Sequence, residues 1–375
     1  MIYLDYSANT PVDARVLEQF CAVERRCIGN ANSHHQAGSA AKAEIDAATI
    51  RIASLLGVQP AEIIYTSGAS EANNFALKGL ARLSRHAGRH IISTPLEHSS
   101  VSGTLTALQE QGYEIDLLDV KQDGTVDLEH LKDLLRPDTI CVAITLVDSE
   151  LGVVQPVQEI AAILKAYPHC HLHVDATQAV GKIPVSFEGV DTMSLTAHKF
   201  YGLNGIGLLI KRRNLALEPL IHGGESTTIY RSGTPTVALA SSLACALDLA
   251  VTDLSGRVDH VAKLNAELRA ALSTYPLVRI NSPDHAIPHV LNLSVRNVKG
   301  TVFQRELDAK GVCVSVKSAC SSDGLPSRAV FAVSRDRRNA LSSWRISLSH
   351  LTTEDEIKAF LQAFDVCYRE LTALH

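Results

Sequence analysis

Two hydrophobic periods alternate along the chain, and that alternation constrains its fold more than any other feature. Ala40 to Leu56 sets Ile45, Ala48, Ile52 and Leu55 on one helical face and stops at Gly57, a residue suited to closing a helix in left-handed backbone. Glu62 to Thr66 and Ile140 to Thr145 read as short buried strands, and Pro156 opens a helix through Tyr167. Repetition of this kind builds a mostly parallel sheet, because parallel neighbours need a crossover and a helix supplies it. A chain of 375 residues with 46% hydrophobic content can bury a large core, and its length suggests two domains. A polar, glycine-containing stretch near Thr252 to Asp259 interrupts the pattern before a helix to about Tyr275, so the domain boundary is placed there. Thr353 and Glu356 have the spacing of a capping box and open a final helix.

Charge and cysteine usage exclude several classes. A net charge of −5 disfavours a protein whose main business is gripping nucleic acid or anionic membrane. Met1 to Asp5 has no basic segment followed by an apolar one, and no stretch approaches the ~18 apolar residues of a membrane span, so a soluble, cytoplasmic chain is expected. The eight cysteines include no CxxC pair, which suits thiols in a reducing compartment. Cys21, Cys27, Cys141, Cys170, Cys245, Cys313 and Cys367 are expected in the core.

Against this background one pairing points to chemistry. Asp175 ends the strand-like run from His171, and Lys199 follows the strand-like Met193 to Leu195, so both sit at the carboxyl ends of strands, where open α/β sheets bind ligands. Pyridoxal phosphate (PLP) needs a lysine amine to form a Schiff base and an acid to keep its pyridine nitrogen protonated. Thr66-Ser-Gly-Ala-Ser70 lies between a strand and the helix-like Glu71 to Leu80, a place where backbone N–H groups can hold a phosphate. His98, after the strand-like Ile91 to Thr94, can stack on the ring and relay protons, and Gln178 can donate to the ring's phenolic oxygen. His169, Cys170, His171 and His173 resemble metal ligands, but a turn into a strand often carries exposed histidines, and no metal is expected. No GxGxxG follows the first strand, so a Rossmann dinucleotide site is not indicated.

In order along the chain, Tyr3-Leu-Asp-Tyr-Ser-Ala-Asn-Thr-Pro11, Thr66-Ser-Gly-Ala-Ser-Glu-Ala-Asn73, Glu97-His98, His173-Val-Asp-Ala-Thr-Gln178, His198-Lys199, Arg231-Ser-Gly-Thr234 and Ser318-Ala-Cys320 resemble the cysteine desulfurases of the class V aminotransferase group. The resemblance implies an α/β fold of the PLP-dependent transferase type (fold type I). It has a large domain with a mostly parallel seven-stranded sheet, residues 14–252, and a smaller α+β domain formed by residues 1–13 and 253–375. Lys199 is then the Schiff-base lysine, Asp175 the pyridinium partner, Gln178 the phenolic-oxygen donor and His98 the stacking residue. Ala69, Ser70, Thr196 and His198 bind the phosphate, with Thr234 reaching it from the other subunit of a homodimer with shared active sites. Arg345 clamps the carboxylate of L-cysteine, as its planar fork of donors allows. Cys320, in the loop-like Ser315 to Pro326, takes the sulfur as a persulfide and passes it to an acceptor protein, a task for an accessible thiolate.

The departures are informative too. Val147-Asp148-Ser149-Glu150 stands where the family usually has Val-Asn-Asn-Glu, so Ser149 replaces the asparagine that contacts the phenolic oxygen. Asp148, if beside the ring, favours the protonated form of a nearby imine or imidazole. Lys317 stands where glycine is common, and the loop after Cys320 is about a residue short. These changes suggest a paralogue with a dedicated acceptor, such as one for nucleic-acid thio-modification (DNA phosphorothioation), rather than a general iron–sulfur supplier. Another PLP aminotransferase or lyase, selenocysteine lyase included, keeps Lys199 and Asp175 without needing Cys320. A non-catalytic sulfur-transfer scaffold has only the changes at Asp148 and Ser149 in its favour.

Overall fold

The computed structural model describes residues 1–317 and 325–373. Among them the strands are β1 (Ile2–Tyr3), β2 (Ile63–Thr66), β3 (His90–Ser93), β4 (Glu114–Leu117), β5 (Thr139–Thr145), β6 (His171–Asp175), β7 (Thr192–Thr196), β8 (Gly207–Lys211), β9 (Val278–Ile280), β10 (Val290–Val295), β11 (Val312–Cys313) and β12 (Ser343–Ser347). A seven-stranded sheet has the order β2-β8-β7-β6-β5-β3-β4. Its pairs from β7 to β4 are parallel, and β8 alone runs antiparallel to its neighbours β7 and β2. The mostly parallel α/β sheet is the one that the alternating periods predict.

Period-two geometry divides this sheet's side chains between two cores. Along β5, Val142 and Ile144 join the core beneath helices Ala14–Arg26, Gln36–Leu56 and Val237–Thr252. Cys141 and Ala143, which alternate with them, join the opposite core with Phe75 and Leu105 of helices Ala69–Leu83 and Ser99–Gln109. With both faces covered, the central strands are buried throughout, which is why they read as unbroken apolar runs. A second assembly places β10 between β9 and β12, both antiparallel to it, against helices Leu254–Leu272, Gly300–Ala309 and Glu354–Thr372. Phe303 stacks on Trp344 in its core, with ring centroids 5.1 Å apart. β1 pairs in parallel with β11, and Leu4 is buried in the same core.

Local details correct several sequence expectations. The polar stretch after Thr252 is helical: the chain breaks only at Asp253, and helix Leu254–Leu272 contains Gly256. Val261, Leu264, Leu268 and Leu272 supply a buried face that outweighs the weak propensity of the first turn. The helix after Pro156 spans Val157–Leu164, ending before Tyr167. Cys141, Cys170 and Cys367 are buried, whereas Cys21, Cys27, Cys245 and Cys313 are half-buried at the margins. Helix Gln36–Leu56 closes at Gly57 with φ +67°, and helix Glu354–Thr372 carries the capping box formed by Thr353 and Glu356. Among the described residues no single helix is long and apolar enough to cross a membrane.

Candidate active site

The ends of β6 and β7, the start of helix Ala69–Leu83, the entry to helix Ser99–Gln109 and the middle of β12 converge on a cavity of about 360 Å³. That volume suits a small cofactor with substrate. The cavity brings together Ala69, Ser70, His98, Ser149, Asp175, Gln178, Thr196, His198, Lys199 and Arg345. Thr234 is exposed and does not line it. Cys320 lies outside the described residues.

The phosphate-type turn depends on glycines at close range. Gly68 has φ +155° and precedes helix Ala69–Leu83, whose N-terminus has no side-chain cap. On β8, a Cβ at Gly207 would lie 2.7 Å from the Gly68 Cα, so only glycine lets the turn approach this strand. The Thr66 hydroxyl donates to the Gly68 carbonyl (3.0 Å), and the Glu71 carboxylate accepts from the Ser67 N–H (2.7 Å) and pairs with Arg231 (3.0 Å). Across the turn, Thr196 donates its hydroxyl proton to the Ile206 carbonyl (3.1 Å) and lies 3.1 Å from His198 Nδ1. Burial, then the neighbouring Lys199 and Lys182 cations, push the His198 ring down to about 4.

Lys199 ends the 3₁₀ turn Ala197–Lys199 that follows β7. Its Nζ donates to the carbonyls of Ser7 and Ala8, each at 2.7 Å. The Thr10 N–H and hydroxyl both donate to the His198 carbonyl (3.0 and 2.9 Å), so the N-terminal segment is sewn to the lysine turn. Asp175, the last residue of β6, is 4% exposed, and its carboxylate accepts from Asn73 Nδ2 (2.8 Å) and the Thr177 N–H (2.9 Å). Gln178 is held at both ends of its amide: Nε2 donates to the Ser7 carbonyl (2.9 Å), and Oε1 accepts from Lys182 Nζ (2.8 Å). Lys182 is buried, and burial followed by repulsion from Lys199 and Arg345 lowers its ammonium to about 7.

Arg345 on β12 is 1% exposed. Its Nη2 pairs with Asp5 at 3.1 Å and its Nη1 donates to the Ser149 carbonyl at 2.6 Å. Among the described residues its buried Nε has no hydrogen-bond partner. Asp148 corrects a sequence expectation, because it does not face the cavity. Fully buried, its carboxylate accepts the N–H groups of Glu150 and Leu151 and shapes the turn after β5. Burial, with the Glu150 charge nearby, raises its carboxyl to about 7. Ser149 does line the cavity. Of the histidine cluster, His173 is buried and spends its nitrogens on Thr192 (2.9 Å) and Asn73 (3.0 Å).

The profile described as aminotransferase class V matches residues 2–360. Cysteine desulfurase IscS of Proteus mirabilis is 40% identical over 95% of this chain and 90% of its own length. The chain belongs to the class V aminotransferase family, among its cysteine desulfurases. A solved NifS-like protein superposes with a TM-score of 0.92 at 35% identity, covering 100% of both chains. DndA from Streptomyces lividans superposes with a TM-score of 0.79 at 34% identity, covering 92% of this chain and 99% of its own. Cysteine desulfurases are PLP-dependent enzymes that take sulfur from cysteine and pass it to an acceptor protein, and this chain is one of them.

The donor set fits that cofactor. An uncapped helix N-terminus with Thr196 and His198 suits its phosphate, a buried carboxylate suits its ring nitrogen, and Lys199 suits its aldehyde. Four residues at this candidate site escaped sequence reasoning. Ser7 offers a carbonyl to both Lys199 and Gln178, Asp5 holds Arg345, Asn73 holds Asp175, and Lys182 holds Gln178. Asp5, Ser7 and Asn73 lie inside the motifs quoted above, so the signal was present without a role attached.

Proposed function

We propose that this cavity converts L-cysteine to L-alanine, with Cys320 receiving the sulfur, and that each residue acts as its position suggests. The observation that carries this reading is the meeting of Lys199, Asp175, His98, the uncapped helix start and Arg345 around one cavity. PLP, bound there through Lys199, supplies the electron sink. Ala69, Ser70, Thr196 and His198 hold its phosphate, Asp175 its ring nitrogen, and Gln178 its phenolic oxygen; Ser149 is too short to take over the amide's part. Arg345, prepositioned by Asp5 and Ser149, binds the substrate carboxylate with its remaining N–H groups. His98 stacks on the ring and moves protons. The Cys320 thiolate attacks the substrate sulfur: an S–S bond forms, the C–S bond breaks, and the carbon keeps the electron pair and takes a proton, leaving L-alanine and a persulfide.

Thr234 supports a homodimer with shared sites. It is exposed in its own chain, and Ile229, 68% exposed, lies in the same segment. We place this segment against a second copy, residues 14–252 in a cofactor domain and the rest in a smaller one, and the enzyme in the cytoplasm. The net charge of −5 supports an acceptor protein, rather than nucleic acid, as the direct partner. The test is sulfide and alanine release from L-cysteine with reductant, by wild type and Cys320→Ser. Loss of sulfide with the cofactor retained is expected, and undiminished alanine production by the variant would remove the persulfide mechanism.

A further inference from the structure

Asn73 is fully buried on helix Ala69–Leu83, and its amide meets four side chains. Nδ2 lies 2.8 Å from Asp175 Oδ2 and 2.9 Å from Ser100 Oγ. Oδ1 lies 3.0 Å from His173 Nε2 and accepts from the Ser194 hydroxyl. An ionised carboxylate only accepts, so the amide edge facing Asp175 is the NH₂ group, and its second proton goes to Ser100. Ser100 Oγ therefore accepts from Asn73, leaving its own proton for His98 Nδ1 at 2.9 Å. The Ser100 N–H donates to the same nitrogen at 3.1 Å, since His98 caps helix Ser99–Gln109. With two donors on Nδ1, the ring's proton resides on Nε2.

We propose that Asn73 is a positioning residue that ties the two cofactor-facing groups together: one amide proton holds the Asp175 carboxylate, and the other commits the Ser100 hydroxyl proton to His98 Nδ1. This deepens the proposed function and rests on it for the roles of Asp175 and His98. The bonds themselves join helix Ala69–Leu83, β6, β7 and the entry to helix Ser99–Gln109, so one amide sets groups on separate elements. Around the His98 ring, burial disfavours the charged form, Asp175 favours it, and Lys199 and Arg328 oppose it, with a lowered pKa as the outcome. A donated hydrogen bond on Nδ1 acts in the same direction as burial, because a protonated Nδ1 cannot accept it.

The test is nitrogen NMR of histidine-labelled full-length protein, as holoenzyme and after cofactor removal. Wild type should show His98 with its proton on Nε2. Asn73→Ala should raise the His98 protonation constant roughly three- to tenfold, the worth of about one hydrogen bond. Ser100→Ala, at a less buried position, should raise it similarly and covers the case in which Asn73→Ala fails to fold. The double variant should shift it by less than the sum of the two single shifts, because one of the two routes from Asn73 to the ring runs through that hydroxyl and the other through the Asp175 carboxylate. An Nδ1-protonated ring, an unmoved titration in Ser100→Ala, or additive shifts in the double variant would each overturn the proposal. Titration of His98 needs no substrate, so this outcome is independent of whether sulfide is released from L-cysteine.

Discussion

Removing the Asp5 charge isolates what holds Arg345. The two charges are 3.1 Å apart, with the arginine side chain 1% and the aspartate side chain 18% exposed. At an effective dielectric near 20, two unit charges at that distance attract by about 5 kcal/mol, part of which offsets the desolvation of the guanidinium. Asp5→Asn keeps the shape and an acceptor oxygen but leaves Arg345 a buried cation whose main compensation is the Ser149 carbonyl. A stability loss of about 2–3 kcal/mol is expected in the absence of carboxylate ligand. A chain of this length unfolds with an entropy of ~0.8 kcal/mol/K, so Tm should fall by roughly 3 °C. The same uncompensated charge should bind a ligand carboxylate more tightly, so saturating L-alanine should raise Tm further in the variant than in wild type. Differential scanning fluorimetry with and without L-alanine measures both. A variant with wild-type Tm and an equal ligand shift would refute the argument that Asp5 and substrate compete for one guanidinium charge.

Further expectations concern neighbouring groups. Ser149→Asn restores an amide at the cavity wall and should lower the pH at which the bound cofactor's visible band titrates, since a donor to the phenolic oxygen weakens its hold on a shared proton. Asp148→Asn, at a residue turned into its own loop, should leave that titration unmoved. Lys182→Met frees one end of the Gln178 amide and should weaken cofactor retention roughly three- to tenfold, measured as Kd by fluorescence. His289 is 4% exposed, and burial, with Lys182 and His350 nearby, pushes its ring down to about 3. The unfolded chain takes up that proton first, so stability is lost as pH falls below about 6.5, by roughly 2 kcal/mol at pH 5; His289→Leu should flatten this limb in urea titrations between pH 7 and 5.

Much of the site was legible because its residues sit at positions the chain's periodicity already marks. Asp175 ends a strand and Lys199 follows one, and in a parallel sheet those ends gather at one edge whatever the loops do. The glycine turn before Ala69 was likewise visible behind a strand-like run, whereas Arg345, in the middle of β12, was assigned only through the family resemblance. Position in a strand says little about what a side chain will find there. Asp148 stands next to a cavity-lining serine, yet its carboxylate turns to the N–H groups two and three residues ahead, and local turn geometry decides that.

By itself the sequence determined which groups this protein can bring to chemistry: a lysine, a carboxylate and an imidazole on strand ends and helix starts of an α/β sheet, with a guanidinium that the family resemblance adds. Tertiary structure alone decided how each is held. Asp5 meets Arg345, Asn73 meets Asp175, and the Ser7 carbonyl serves both Lys199 and Gln178, across separations that no local pattern encodes. The physical reason is that burial removes water as a partner, so a buried donor or acceptor is stabilised by finding another within about 3 Å, and only the packed chain determines which ones lie that close.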